Sequence, residues 1–131
     1  MKKEFGRYKI LLERSGDKEQ KSIDYLQIID QFYDDNIIQI ENCEKPHKGK
    51  EKLSKIENKN LDEVNAVSTD INELVFDSET GTVWGQMVIH FDSKKNGKKR
   101  LEEAFMQKWL NGKIIYQRFY YGQMINEEAS R

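Results

Sequence analysis

Apolar residues in the first third of the chain recur at helical spacing. Phe5, Tyr8, Leu11 and Leu12 fall on one face of a helix over residues 4–14, and Ser15-Gly16 follows where a helix end favours a residue that tolerates positive φ. Asp17 stands three residues before Gln20, a capping-box spacing that opens a second helix. There Ile23, Tyr25, Leu26, Ile28, Ile29, Phe32 and Tyr33 give an apolar face broad enough to need a large surface beneath it. Asp34-Asp35-Asn36 breaks that helix, and residues 37–41 read as a short strand. A polar loop with the only proline, Pro46, and Gly49 then leads to a small third helix marked by Leu53, Ile56 and Leu61.

From Val64 the texture changes to β-branched and aromatic residues separated by turn signals at residues 77–81, Asn96-Gly97 and Asn111-Gly112. The intervening runs, 64–76, 82–92, 99–110 and 113–124, predict four long strands. Turns of hairpin length make neighbours antiparallel, so the pattern predicts an α+β fold with its helices on one face of a curved antiparallel sheet. Residues 1–125 read as one domain and 126–131 as a flexible C-terminal tail. At 131 residues there is room for one core and not for two.

Charge narrows the partners. The 22 basic and 23 acidic residues cancel to a net −1, which removes the broad positive field that non-specific binding to nucleic acid or an anionic membrane rests on. Arg118 amid Tyr116, Phe119, Tyr120 and Tyr121 is therefore read as sheet packing, not as a platform for stacked bases, and the lysines around Asn96-Gly97 as a solvated hairpin tip. The lone Cys43 cannot form an intrachain disulfide, no run approaches the roughly 20 apolar residues of a membrane span, and Met1 to Phe5 lead into no signal-like apolar stretch, so the cytoplasm is the expected address. Cys43 and His47 have a metal-like spacing, but two histidines in all fall short of a zinc ligand set, and neither a metal nor a cofactor is expected.

Several phrases, in order along the chain, resemble the NTF2-like superfamily and within it the SnoaL-like (polyketide cyclase-like) domains. They are Arg7-Tyr8 ahead of Ser15-Gly16-Asp17, the run from Phe32 to Asn36, Pro46 to Lys50, and Asn111-Gly112-Lys113-Ile114. The resemblance implies a cone-shaped half-barrel with a pocket between helices and sheet. It also implies a homodimer through the convex sheet face, where Tyr116, Tyr120 and one set from residues 82–92 would otherwise meet water.

Strand alternation then sorts residues by face. The resemblance to the ketosteroid isomerase branch turns Ile115, Gln117, Phe119 and Tyr121 inward and Ile114, Tyr116, Arg118 and Tyr120 outward; the matching inward set before it is Glu103, Phe105, Gln107 and Trp109. For residues 82–92 the reading adopted has Trp84, Gln86, Val88 and His90 inward, although Val83, Met87, Ile89 and Phe91 are about as apolar. The expected pocket is lined by Tyr8, Phe32, Ile40, Trp84, Gln86, His90, Glu103, Phe105, Gln107, Trp109, Gln117, Phe119 and Tyr121.

The isomerase branch needs a carboxylate base, an acid donor and a Tyr donor. Carried over, those positions fall at Ile40, at Phe105 and near Tyr8, so two of the three groups are missing and that chemistry is not expected unless Glu41 or Glu103 has taken over. The leading expectation is a module binding a small apolar or amphipathic molecule without catalytic machinery. The alternatives are an isomerase, cyclase or hydrolase using His90 and Glu103 as acid and base, and a protein-interaction dimer whose pocket is filled.

Overall fold

The computed structural model describes residues 1–127. Three helices, α1 (Lys2–Glu13), α2 (Lys18–Phe32) and α3 (Lys50–Leu61), cover one face of a curved, open, eight-stranded sheet. Four long strands build most of it: β4 (Val64–Asp77), β5 (Thr82–Ser93), β6 (Gly97–Leu110) and β7 (Lys113–Tyr121). β2 (Tyr33–Glu41) runs parallel to β7, so the sheet is mixed where an antiparallel one was expected; all other pairs are antiparallel. The parallel pair arises because the chain crosses from β2 through α3 and the meander before returning beside it. Two-residue strands β1 (Gly16–Asp17) and β3 (His47–Lys48) extend the edges beyond β4 and β2. Register shifts between Asn72 and Val75, Tyr33 and Ile38, and Lys108 and Trp109 bend the strands.

The expected helices and turns are present. Asp17 Oδ1 accepts the backbone N–H of Gln20 at 2.9 Å, capping α2, while the Gln20 side chain donates to Asp24 instead of closing the capping box. At the hairpin ends Gly81, Asn111 and Gly112 adopt positive φ (68°, 52° and 76°). Gly81 has a second reason to lack a side chain: a Cβ there would lie 2.5 Å from the Trp109 carbonyl oxygen.

α2 is rotated from the expected face. Ile23 and Leu26 are exposed (61 % and 64 %), and the helix buries Lys21, Asp24, Ile28, Ile29 and Phe32. Lys21 replaces a hydrophobe because α1 ends above it: its Nζ donates to the carbonyls of Leu12 (3.2 Å) and Arg14 (2.7 Å), at the negative end of the helix dipole. Asp24 accepts from Arg14 and Gln20. The core proper is aromatic. Phe5 packs edge-on to Phe76 and Trp109, Tyr8 edge-on to Phe32 and Trp109, and Phe105 stacks beneath Phe5.

The C-terminal segment departs from its expected boundary. β8 (Ile125–Asn126) pairs with Lys99 and Arg100 of β6, and the Glu127 carboxylate meets His90 Nδ1 at 2.9 Å, so residues 126 and 127 belong to the fold. The rest of the expected tail, 128–131, lies outside the described residues.

Candidate functional site

Residues paired across a sheet share a face, and the ladder therefore settles which side chains look toward the helices. Glu103, Phe105 and Gln107 of β6 face inward opposite Tyr121, Phe119 and Gln117 of β7, as expected. On the other side of β6 their partners are Met87, Gly85 and Val83. β5 therefore turns its other face in, and Trp84, Gln86, Val88 and His90 lie on the convex face, with Trp84 46 % exposed. The inward set, Val83, Met87, Ile89 and Phe91, is wholly apolar, whereas the convex set mixes Trp84 and Val88 with Gln86 and His90. Gly85 decides the phase physically: the Phe105 ring occupies the space a side chain would need, 2.8 Å from where a Cβ on Gly85 would lie.

Two further placements differ. Ile40 pairs with Arg118 on the convex side, and its inward neighbours are Gln39, paired with Gln117, and Glu41, paired with Phe119. Ile114, expected outside, is fully buried opposite Trp109, because the irregularity after Lys108 inserts Ile115 as an extra residue and changes the phase between Ile114 and Gln117. Phe32, Phe105 and Trp109 face inward but are packed solid in the core, beneath the cavity and not along its wall.

Between helices and sheet a cavity of about 100 Å³ remains, with Tyr8 and Leu12 of α1, Tyr25 and Ile28 of α2, Glu57 of α3, and Tyr33, Gln39, Glu41, Met87, Ile89, Glu103 and Phe119 of the strands around it. A wider groove of about 330 Å³ beside Ser15, Phe91, His90 and Glu127 is open to solvent and collects none of these groups. The cavity is far smaller than the roughly 300 Å³ or more of pockets that hold drug-sized ligands. It suits a compact molecule.

Its chemistry is carboxylic and phenolic. Burial, with the nearby negative charges of Glu41 and Glu57, pushes the Glu103 carboxyl up to about 7. Burial and the Glu41 charge likewise push Glu57 up to about 7, against a smaller opposing pull from the Lys21 ammonium. Neither carboxylate has an ion-pair partner among the described residues. Burial also raises the Tyr8, Tyr25 and Tyr33 phenols well above their ordinary range, keeping all three protonated. On β7 opposite Glu103, burial and the charges of Glu41, Glu44 and Glu103 raise Tyr121 to about 12.

Beneath the cavity runs a buried amide network. Trp109 Nε1 donates to Gln107 Oε1 (3.2 Å); Gln107 Nε2 donates to Tyr8 Oη and Gln117 Oε1 (both 3.1 Å); Gln117 Nε2 donates to Tyr33 Oη (3.1 Å) and Gln39 Oε1 (2.6 Å). Of the polar cluster expected from sequence, Glu103, Gln107 and Gln117 converge, whereas His90 and Gln86 do not. His90 instead bonds Glu127 and lies 3.7 Å from Asp70 on the convex side. An acid/base pair of His90 and Glu103 is thus ruled out by strand phase. Glu57 was missed, yet it stands in the stripe Leu53–Glu57–Leu61, whose i, i+4, i+8 spacing aims it at the core.

A helical layer over a curved, open sheet with a cavity between them is the NTF2-like α+β cone. An NTF2-like protein of unknown function from Exiguobacterium sp. 255-15 superposes with a TM-score of 0.71 at 14 % identity, covering 92 % of this chain and 98 % of that one. An LEH-like epoxide hydrolase of M. tuberculosis gives 0.69 at 10 % identity over 92 % and 80 % of the two chains. A putative SnoaL-like polyketide cyclase from Jannaschia sp. CCS1 gives 0.64 at 7 % over 79 % and 85 %. At these identities the likeness is one of fold. No family model and no curated protein matches the chain. Among the described residues no helix is long and apolar enough to cross a membrane, and no group of three or more His, Cys, Asp or Glu side chains is arranged to hold a metal ion.

Proposed function

We propose that the chain binds a small apolar or amphipathic molecule in the cavity between helices and sheet and exchanges a proton with it through Glu103 and Glu57. One observation carries this reading: Glu57 and Glu103, raised toward neutral pH, converge with Glu41 on a cavity otherwise lined by apolar and phenolic side chains and Gln39, with no basic side chain paired to any of the three among the described residues. A carboxyl poised near neutral pH is present in both protonation states, so it can give a proton as the acid or take one as the base. An unfilled cavity favours a ligand over the protein-interaction alternative. The same-fold structures include an epoxide hydrolase and a putative polyketide cyclase, so the architecture accommodates enzymes, although fold alone does not carry their chemistry across.

The test uses cyclohexanone in D2O, following replacement of its α-hydrogens by deuterium by NMR between pH 5 and pH 9. Exchange is expected to exceed the buffer rate, to rise as Glu103 ionises around pH 7, and to fall to background in Glu103→Gln. Equal exchange in wild type, Glu103→Gln and Glu57→Gln would remove proton transfer from the reading.

We further propose that the chain pairs with a second copy through the convex face, where Trp84 (46 %), Val75 (63 %) and Tyr120 (39 %) are exposed beside Met106 and Tyr116. The compartment that fits an exposed, unpaired Cys43 is the cytoplasm, where thiols stay reduced.

A further inference from the structure

On the other side of the sheet from the cavity, His90 stands between two carboxylates near the end of β5. Glu127 Oε1 meets its Nδ1 at 2.9 Å, and Asp70 Oδ2 lies 3.7 Å from its Nε2. An ionised carboxylate only accepts, so Nδ1 carries the hydrogen, and in the neutral ring Nε2 is left with its lone pair. That is the tautomer a general base needs. Arg100 Nη1, 3.8 Å from the second oxygen of Glu127, steadies the carboxylate in turn.

A hydroxyl shares the face with this base. Ser68 of β4 is the residue directly opposite His90 in the ladder, and Asp70 is its next neighbour on the same face. Directly opposed residues have Cβ atoms about 4.5–5.5 Å apart, close enough for a serine hydroxyl and an imidazole to meet by side-chain rotation. Ser68, His90 and Glu127 open together on the groove of about 330 Å³, a volume at the lower end of small-molecule sites. Ala66, Val67 and Phe91 give that groove an apolar wall, and Lys98 brings the positive charge that suits a developing oxyanion. The groove is also clear of the proposed dimer patch, since Trp84 lies six residues back along β5, about 20 Å away.

We propose that Ser68, His90 and Glu127 form a second site, separate from the cavity, that hydrolyses esters with a compact apolar acyl group. Ser68 is the nucleophile, His90 the base and then the acid, and Glu127 the positioning residue. The Ser68 hydroxyl oxygen attacks the ester carbonyl carbon as its proton passes to His90 Nε2. The adduct collapses by breaking the bond from carbonyl carbon to alkoxy oxygen, and the alcohol leaves with the proton from Nε2. Water then adds to the acyl-serine and gives a proton to Nε2; the carboxylic acid departs as Ser68 Oγ takes that proton back. The carboxylates of Glu127 and Asp70 flank the imidazolium formed in each half of the cycle and stabilise its charge.

The experiment follows release of 4-nitrophenol from 4-nitrophenyl acetate at pH 7.5 by wild type, Ser68→Ala, His90→Gln and Glu127→Gln. Parallel reactions are stopped in acid within the first turnover, digested and read by mass spectrometry. Wild type is expected to carry acetyl on Ser68, and Ser68→Ala and His90→Gln to lose about a hundredfold in kcat/KM. In Glu127→Gln kcat should fall while KM holds, because an amide can donate to Nδ1 and so favour the tautomer whose Nε2 carries the hydrogen. Loosening of β8 alone would raise KM instead. If His90→Gln does not fold, the acetyl mark on Ser68 and the loss of turnover in Ser68→Ala, which removes one half-buried hydroxyl, decide the question. Turnover that survives in Ser68→Ala, or acetyl found only on lysine or histidine, overturns the proposal. An unchanged kcat in Glu127→Gln overturns the role given to Glu127.

Discussion

Replacing Glu103 with Gln should stabilise the protein at alkaline pH and leave it nearly unchanged in acid. The carboxyl titrates at 4.5 when unperturbed and at about 7 in the folded chain, where burial and the charges of Glu41 and Glu57 oppose its ionisation. A folded pKa above the unfolded one means that the native state holds the proton more tightly, so stability falls as pH rises from 4.5 through 7 and is level beyond. The shift, 7 minus 4.5, is about 2.5 units at about 1.4 kcal/mol each, an upper bound of about 3.4 kcal/mol that solvent access to this half-buried group lowers to about 2 kcal/mol. Gln keeps the shape and carries no charge to desolvate. Urea unfolding of both proteins at pH 4 and pH 8.5, followed by tryptophan fluorescence, gives the difference of differences in which titrations independent of Glu103 cancel. The variant should gain about 2 kcal/mol over wild type between the two pH values. An offset that is the same at both would refute the claim that burial in the cavity opposes the ionisation of Glu103.

Gly85→Ala should cost about 1–3 kcal/mol and lower the melting temperature, because the new methyl would press within 2.9 Å of the Phe105 ring and the Leu74 side chain, both held in the core. His90→Ala should change stability by less than about 1 kcal/mol in thermal melts and leave cyclohexanone binding intact, since His90 sits on the convex face with an exposed Asp70 and a partly buried Glu127 as partners; a loss of binding would place it functionally in the cavity. Trp84→Lys should leave circular dichroism unchanged and convert a dimer to a monomer in light scattering after gel filtration, whereas a dimer surviving the change would move the proposed interface elsewhere.

The elements were legible because their signals are local. Asp17 before Gln20, Gly81, Asn96-Gly97 and Asn111-Gly112 each impose a backbone geometry that no distant contact has to supply, and the strand and helix limits followed from them within a few residues. Strand β6 was phased correctly because Glu102, Ala104, Met106 and Lys108 contrast with Phe105, Gln107 and Trp109. β5 carries a weaker contrast, because Trp84 and Val88 share a face with Gln86 and His90, and its phase is fixed by which side has room for the Phe105 ring, a tertiary fact recorded in sequence as a glycine. Ile23 and Leu26 misled for a related reason. Their helix chooses its buried face by what lies over the end of α1, and Lys21 satisfies two carbonyls there that a hydrophobe could not.

The same distinction explains the site. Hydrophobic periodicity finds where a core is and passes over polar residues that share its stripe, so Glu57 between Leu53 and Leu61 read as one more charge on a polar helix. Its significance appears only when β2 and β6 bring Glu41 and Glu103 to the same cavity and no basic side chain pairs with the three. Burying that much potential charge costs stability, and a fold gains nothing structural from it that Leu or Gln would not supply at lower cost. The glutamine relay shows that this core can satisfy buried polar groups when the requirement is structural: Gln107 and Gln117 use their amides on one another and on the tyrosines. The carboxyls of Glu57 and Glu103, by contrast, have no hydrogen-bond or ion-pair partner among the described residues, the arrangement that the proposed ligand site requires.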